Sequence, residues 1–191
     1  MPRSYYHLHR DNPFYQRLRG RLPVSQVMSL YKFVKESRVQ QILHALKYKQ
    51  QPEIGEYLGR LYGQDLADAD FRDRFDIVIP VPLHISRRRV RGYNQSEEFG
   101  KGLAHILGIP CDDTSMERSA ANTSQTDKGR MSRWTNVSRI FQVVRPEVIV
   151  GKRILLVDDV LTTGATLEAC GLSLLDAGCA ELSMACIAAT Q

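Results

Sequence analysis

Between Arg153 and Thr166 the chain reads Arg-Ile-Leu-Leu-Val-Asp-Asp-Val-Leu-Thr-Thr-Gly-Ala-Thr. The aliphatic run Ile154 to Val157 predicts a buried strand that carries Asp158 and Asp159 at its carboxyl end. Small residues follow, Thr162-Thr163-Gly164-Ala165, and a helix is expected from Thr166. In open α/β sheets, ligands bind beyond the carboxyl ends of the strands. Free N–H groups at a turn and a helix start suit a phosphate, and threonine hydroxyls add donors. Gly164 lets the backbone approach closely. Two carboxylates beside such a cradle would repel a bare phosphate, so the ligand should also offer hydroxyl donors. Vicinal ribose hydroxyls on Asp158 and Asp159, with a phosphate on Thr162, Thr163, Gly164, Ala165 and Thr166, describe a ribose 5′-phosphate. A single Asp before a helix is often only a cap; the whole run is far more specific. No Gly-Lys-[Ser/Thr] follows, so this is not a Walker loop.

The run is similar to the signature with which type I phosphoribosyltransferases bind phosphoribosyl pyrophosphate (PRPP). Two other segments then fall into place. Asp76-Ile-Val-Ile-Pro-Val reads as a second buried strand. After it come Pro82, Leu83 and the basic stretch Arg87-Arg88-Arg89-Val90-Arg91-Gly92-Tyr93-Asn94-Gln95-Ser96. In the type I fold this position holds the loop that grips pyrophosphate, which would make Pro82, Leu83, Arg91, Tyr93, Asn94 and Gln95 its residues. Read by itself, the stretch could instead be a solvated basic turn, the lesser of the two readings. The polar stretch Asn122 to Val137 could be a loop that closes over the ligand and excludes water. Its Lys128, Arg130 and Arg133 would join Asp158 and Asp159 as catalytic residues by neutralising the leaving pyrophosphate; the bland alternative is an uncommitted surface loop. Trp134 could stack on a base or anchor that loop. His44 lies beside an apolar helical face and reads as structural.

The elements needed to position these residues can be read from periodicity. Residues 1–24 show no period and read as an irregular lead-in, with a strand expected within Val24–Phe33. Val39, Ile42, Leu43 and Leu46 make one helical face behind a Ser37 cap, and Ile54, Leu58 and Leu61 begin another after Pro52. Ser96–Leu107 is expected as a helix stopped by Gly108, and residues 112–138 as a long exposed loop. Ile140–Val144 and Val148–Val150 are expected to pair as a hairpin. A helix Thr166–Ala177 and a last strand Leu182–Ala188 complete a βαβ unit, and with it an α/β fold with a parallel sheet.

At 191 residues, with 43% hydrophobic and 25% charged residues, the chain has the make-up of one packed domain. The start has no apolar stretch of the secretory kind, and no apolar run approaches a membrane span, so a cytoplasmic protein without membrane insertion is expected. Cys111, Cys170, Cys179 and Cys186 show no metal-ligand spacing and read as reduced thiols. The net charge of +5 is uneven: residues 1–60 hold 11 Lys/Arg against four acids, a surplus of seven, so the rest sums to −2. A basic amino-terminal third could attract phosphates or nucleic acid, or be a solvated face.

Taken together, Leu46-Lys47-Tyr48-Lys49, Pro80-Val81-Pro82-Leu83, Arg91 to Ser96, Thr123-x-Ser-Gln-Thr126 with Lys128, Arg130, Arg133 and Asn136-Val137, and Leu155 to Thr166 resemble the ComF family of competence-associated, phosphoribosyltransferase-like proteins. The resemblance covers the chain from about Phe33 to its end. It implies a type I phosphoribosyltransferase-like fold, a central, mostly parallel sheet flanked by helices with a small hood. In the chain this would divide into a basic arm and hood at 1–35 and the phosphoribosyltransferase-like domain at 36–191. It implies PRPP with Mg²⁺, transfer of the phosphoribosyl group with release of pyrophosphate, and a link to natural transformation, where single-stranded DNA and the competence machinery would be partners. Two alternatives are a non-catalytic module regulated by PRPP and an adaptor that handles single-stranded DNA. Type I relatives often dimerise, which makes a homodimer an expectation. One departure stands out. Many ComF-like proteins begin with a four-cysteine zinc module, and residues 1–60 contain no Cys. No structural zinc is therefore expected, and any DNA contact made by that module would fall to the basic arm.

Overall fold

The computed structural model describes residues 1–119 and 140–190. In chain order the elements are α1 (Pro13–Leu18), β1 (Gln26–Phe33), α2 (Arg38–Tyr48), α3 (Pro52–Asp68), β2 (Ile77–Pro80), α4 (Ile85–Arg91), α5 (Gln95–Leu107), β3 (Met116–Arg118), β4 (Phe141–Val143), α6 (Pro146–Ile149), β5 (Arg153–Leu161), α7 (Ala165–Asp176) and β6 (Glu181–Thr190). Four strands form one sheet in the order β1-β6-β5-β2, every neighbouring pair parallel. β3 and β4 make a separate antiparallel pair. Among the described residues no helix is long and apolar enough to cross a membrane.

Strand alternation explains why both faces of the sheet are covered. In β5, Ile154 and Leu156 join one apolar cluster, with Phe14, Leu18 and the α7 residues Leu167 and Leu174. Leu155 and Val157 point to the other face, into a cluster with Leu43, Leu58 and Phe99 from α2, α3 and α5. Such a strand, buried on both faces, reads as a continuous aliphatic run. Helices α3 and α5 pack very closely. A Cβ at Gly59 would overlap the Phe99 carbonyl oxygen, and one at Gly102 the Glu56 carbonyl oxygen, so only glycine permits this approach.

Three expectations are corrected. Residues 1–24 are not an irregular lead-in. Asn12 caps α1 by accepting from the Phe14 and Tyr15 N–H groups, Pro13 occupies the first turn, and Phe14, Leu18 and Leu22 are buried in the core. β1 beyond them is an integral strand of the sheet, paired with β6, so the first 35 residues belong to the same layers as the rest. The expected hairpin at 140–150 is absent: β4 pairs with β3 in the register Met116↔Val143, and Pro146 opens the short helix α6 instead of a returning strand. Finally, the basic stretch after Leu83 is not all loop. His84 Nδ1 accepts from the Ser86 N–H, and Gly92 at φ 81° ends the helix α4 between them.

All four cysteines are free. Burial pushes the thiols of Cys170 and Cys186 well up, and that of Cys111 up to about 12, which keeps them protonated and unreactive.

Candidate active site

The carboxyl ends of β2 and β5 and the last turn of α2 enclose a cleft of about 520 Å³. Of the residues singled out in the sequence, Asp158, Asp159, Thr162, Thr166, Pro82, Leu83, Arg91 and Gln95 all line it. Thr163, Gly164 and Ala165 complete the turn beside it, around a small hollow that also reaches Asp158 and Thr166. Lys128, Arg130, Arg133 and Trp134 lie outside the described residues.

Asp158 and Asp159 are only partly exposed. Asp158 Oδ1 accepts from the Ser96 hydroxyl at 2.9 Å and from the Asp159 N–H at 2.8 Å. Burial, and after it the neighbouring Asp159 charge, still holds the Asp158 carboxyl above the usual carboxylate range, against the pull of those two donors and Lys47. Lys47 Nζ lies 2.8 Å from Asp159 Oδ2, and both side chains are largely buried. The pair is thus held by a hydroxyl donor from α5, the Asp159 N–H of β5 itself and a cation from α2.

The turn after β5 is braced from the amino-terminal segment. Gly164 has φ 84° and its missing Cβ would lie 3.1 Å from Leu18 Cδ2. Arg17 Nη1 donates to the Thr162 carbonyl at 3.1 Å. α7 starts directly after this turn, so its first N–H groups have no partner within the helix. Glu168 in that first turn would oppose an anion, but Arg21 neutralises it at 2.9 Å.

The segment after β2 divides by role. Asn94 is buried, its Oδ1 accepting from the Ser96 N–H and its Nδ2 donating to the Val81 carbonyl, so it caps α5 and ties the helix to the end of β2. Tyr93 reaches away from the cleft and donates its hydroxyl to the Leu46 carbonyl of α2. Gln95, 1% exposed, accepts from Arg91 Nη1 at 2.9 Å and leaves its own amide N–H₂ with no partner. Within the arginine cluster, Arg88 is engaged by Glu97 and Asp113, whereas Arg87 and Arg91 line the cleft.

Several residues of the site have no individual role assigned from the sequence. Lys47, Arg87 and Arg118 line the cleft, as does His44, which reads as structural in the sequence and is exposed at the rim with its ring 4.9 Å from Tyr48. Ser96 reads in the sequence as the end of the basic stretch and a helix start, not as a partner of Asp158. Lys47 stands one residue from the buried Leu46, which is a signal for a helix edge but not for what it meets.

Residues 94–191 match the phosphoribosyl transferase domain family. The "DNA utilization protein YhgH" of Salmonella typhi is 32% identical over 152 residues, covering 78% of this chain and 66% of that protein. The "Competence protein F" of Haemophilus influenzae is 30% identical over 131 residues, 66% of this chain and 57% of its own length. The chain therefore spans less than two thirds of the length of these relatives. Among solved structures, glutamine PRPP amidotransferase from B. subtilis superposes with a TM-score of 0.55 at 20% identity, over 76% of this chain and 30% of that one. At that identity the likeness speaks for the fold, which is the type I phosphoribosyltransferase fold. With the domain match, these relatives and the parallel sheet behind the Asp158–Thr166 run, the chain belongs to the phosphoribosyl transferase domain family and, within it, to the ComF group.

Proposed function

We propose that the cleft binds PRPP and that the chain, in the cytoplasm, transfers its phosphoribosyl group to a nitrogen acceptor. The observation that carries this reading is the juxtaposition of the Asp158–Asp159 pair with the turn Thr162–Thr166 on one side and with Arg87, Arg91 and the unpartnered Gln95 amide on the other. A ribose 5-phosphate with a diphosphate on C1 needs those three chemistries in that order. Asp158 and Asp159 accept the ribose hydroxyls. The turn and the start of α7 take the 5′-phosphate, and the arginines and Gln95 take the diphosphate. Transfer forms a bond from the acceptor nitrogen to C1 and breaks the bond from C1 to the pyrophosphate oxygen, which leaves with the electron pair. The two carboxylates lie near the positive charge that the ring carries in between, and Arg91 near the departing negative charge.

Magnesium belongs to this reading. Among the described residues no three His, Cys, Asp or Glu side chains cluster to hold a metal. The acid pair fits an ion that arrives on phosphate oxygens with its own waters, with Asp158 and Asp159 as the protein groups close to it. Bound there, the ion spreads the charge of the diphosphate.

Calorimetric titration of PRPP with Mg²⁺ tests the reading. Wild type is expected to bind, and Asp158→Asn/Asp159→Asn to bind at least about 100-fold more weakly, from two lost charge-assisted acceptors. Absence of binding by folded wild type would overturn it.

A second reading is favoured by α4, which buries none of its residues and exposes Arg87, Arg89 and, at 83%, Val90. Such a helix suits single-stranded nucleic acid, by phosphate contact. Binding that falls steeply with salt, and that Arg89→Ala weakens without affecting PRPP, is the expected result.

A further inference from the structure

The last turn of α2 is held at three successive residues. The Leu46 carbonyl accepts the Tyr93 hydroxyl, Lys47 pairs with Asp159 at 2.8 Å, and the Tyr48 ring lies 5.3 Å under the Arg91 guanidinium. The residues on either side of Lys47 thus pin its backbone to the diphosphate side of the cleft. Its ammonium alone, at the end of a four-carbon stem, can re-aim.

The charges in the cleft ask for such a movement. Among the described residues lining it, the cations are Lys47, Arg87, Arg91 and Arg118 and the only acids are Asp158 and Asp159. Asp158 Oδ1 is already taken by Ser96 and the Asp159 N–H, and Asp159 Oδ2 by Lys47. A ribose that brings two hydroxyl donors competes with the ammonium for Asp159. A diphosphate entering beside Arg91 offers that ammonium several new oxygens within the same cleft.

We propose that Lys47 is a further ligand of the diphosphate: the counter-ion of Asp159 in the pair seen here, it re-aims to the diphosphate oxygens when ribose hydroxyls take Asp159. This rests on the ribose-phosphate reading of the site. The exchange couples the two halves of the ligand, since the sugar frees the cation that the diphosphate then uses. It also gives the Leu46-Lys47-Tyr48 turn a reason to be pinned on both sides of the lysine.

The experiment compares wild type, Lys47→Met and Lys47→Arg against three probes: PRPP with Mg²⁺, inorganic pyrophosphate with Mg²⁺, and ribose 5-phosphate. Lys47→Met keeps the stem and removes the charge. It is expected to lose about tenfold or more for PRPP, as befits one charge-assisted contact, to lose less for inorganic pyrophosphate, which brings no hydroxyls to free the ammonium from Asp159, and to bind ribose 5-phosphate as well as wild type or more tightly. Lys47→Arg, which keeps a cation, is expected to recover part of the diphosphate affinity. Thermal melts of both variants establish that they fold. Unchanged PRPP binding by Lys47→Met, or an equal loss for all three probes, would overturn the proposal and leave Lys47 a holder of Asp159. Wild type that takes pyrophosphate but not ribose 5-phosphate would sink the ribose-phosphate reading, and with it the exchange at Asp159. If wild type takes both ribose 5-phosphate and PRPP and Lys47→Met binds PRPP equally well, the proposal alone fails.

Discussion

At the amino end of β5, Asp76 accepts from the Arg153 N–H at 2.8 Å and from its guanidinium Nη2 at 2.7 Å. The donors of Arg153 lower the Asp76 carboxyl to about 2. At the carboxyl end of the same strand, Asp158 also has donors, yet burial and the Asp159 charge push it the other way. The first carboxylate is ionised throughout the physiological range and fastens β5 to the segment before β2. The second is held where ionising it costs the fold something. Stability alone would not arrange two acids in that way, and shifted carboxyls of this kind gather at functional sites. The two ends of one strand thus separate what holds the sheet from what the sheet holds.

The contrast can be broken most severely at Gly164. Alanine there would sit at φ 84° against Leu18. It should cost about 1–3 kcal/mol in a denaturant titration and weaken ribose 5-phosphate binding by about tenfold if the turn shifts. Next comes pH. The folded Asp158 carboxyl binds its proton more tightly than the unfolded one, so Asp158 is harmless below about pH 4 and costs increasingly as pH rises through its folded value. Asp158→Asn should therefore equal wild type near pH 4 and exceed it progressively toward pH 8 in urea midpoints. A flat difference would remove the contrast. Asp76→Asn should show the reverse. Its carboxylate contributes fully above the unfolded value, so the variant is weaker at pH 7, and the gap should close as pH falls toward about 2 while PRPP binding stays unchanged. The smallest effect is expected from Arg21→Ala. It frees the Glu168 charge in the first turn of α7 and should weaken ribose 5-phosphate binding about two- to fivefold, less so in high salt.

Where function sits in one continuous stretch, the sequence was readable. The strand, the acid pair, the turn and α7 follow one another between Arg153 and Asp176, so periodicity and residue type place them. The same holds for Ser37 as the cap of α2 and Pro52 at the start of α3. What escaped depends on distant partners. Lys47 is an ordinary helix lysine until the end of α2 is brought to Asp159. Ser96 reads as a helix start because its acceptor, Asp158, comes much later in the chain. Other misses had local signals that were passed over. Asn12-Pro13 is a cap followed by a first-turn proline, with Phe14 and Leu18 four apart on one face. His84 and Gly92 bracket α4 in a similar way. For residues 140–150 the apolar pattern did not reveal that β4 would choose β3, since strand pairing is a tertiary decision.

β1 and β6 lie side by side, with Gln26 opposite Ser183 and Phe33 opposite Thr190. A ribosome making this chain releases β1 long before any of β6 exists, since synthesis proceeds at about 5–20 residues per second. For that interval an apolar strand waits without the edge it will join. The sheet is therefore sealed only once β6 has emerged, and a nascent chain stalled short of Glu181 would still carry β1 unsatisfied, a natural client for chaperones.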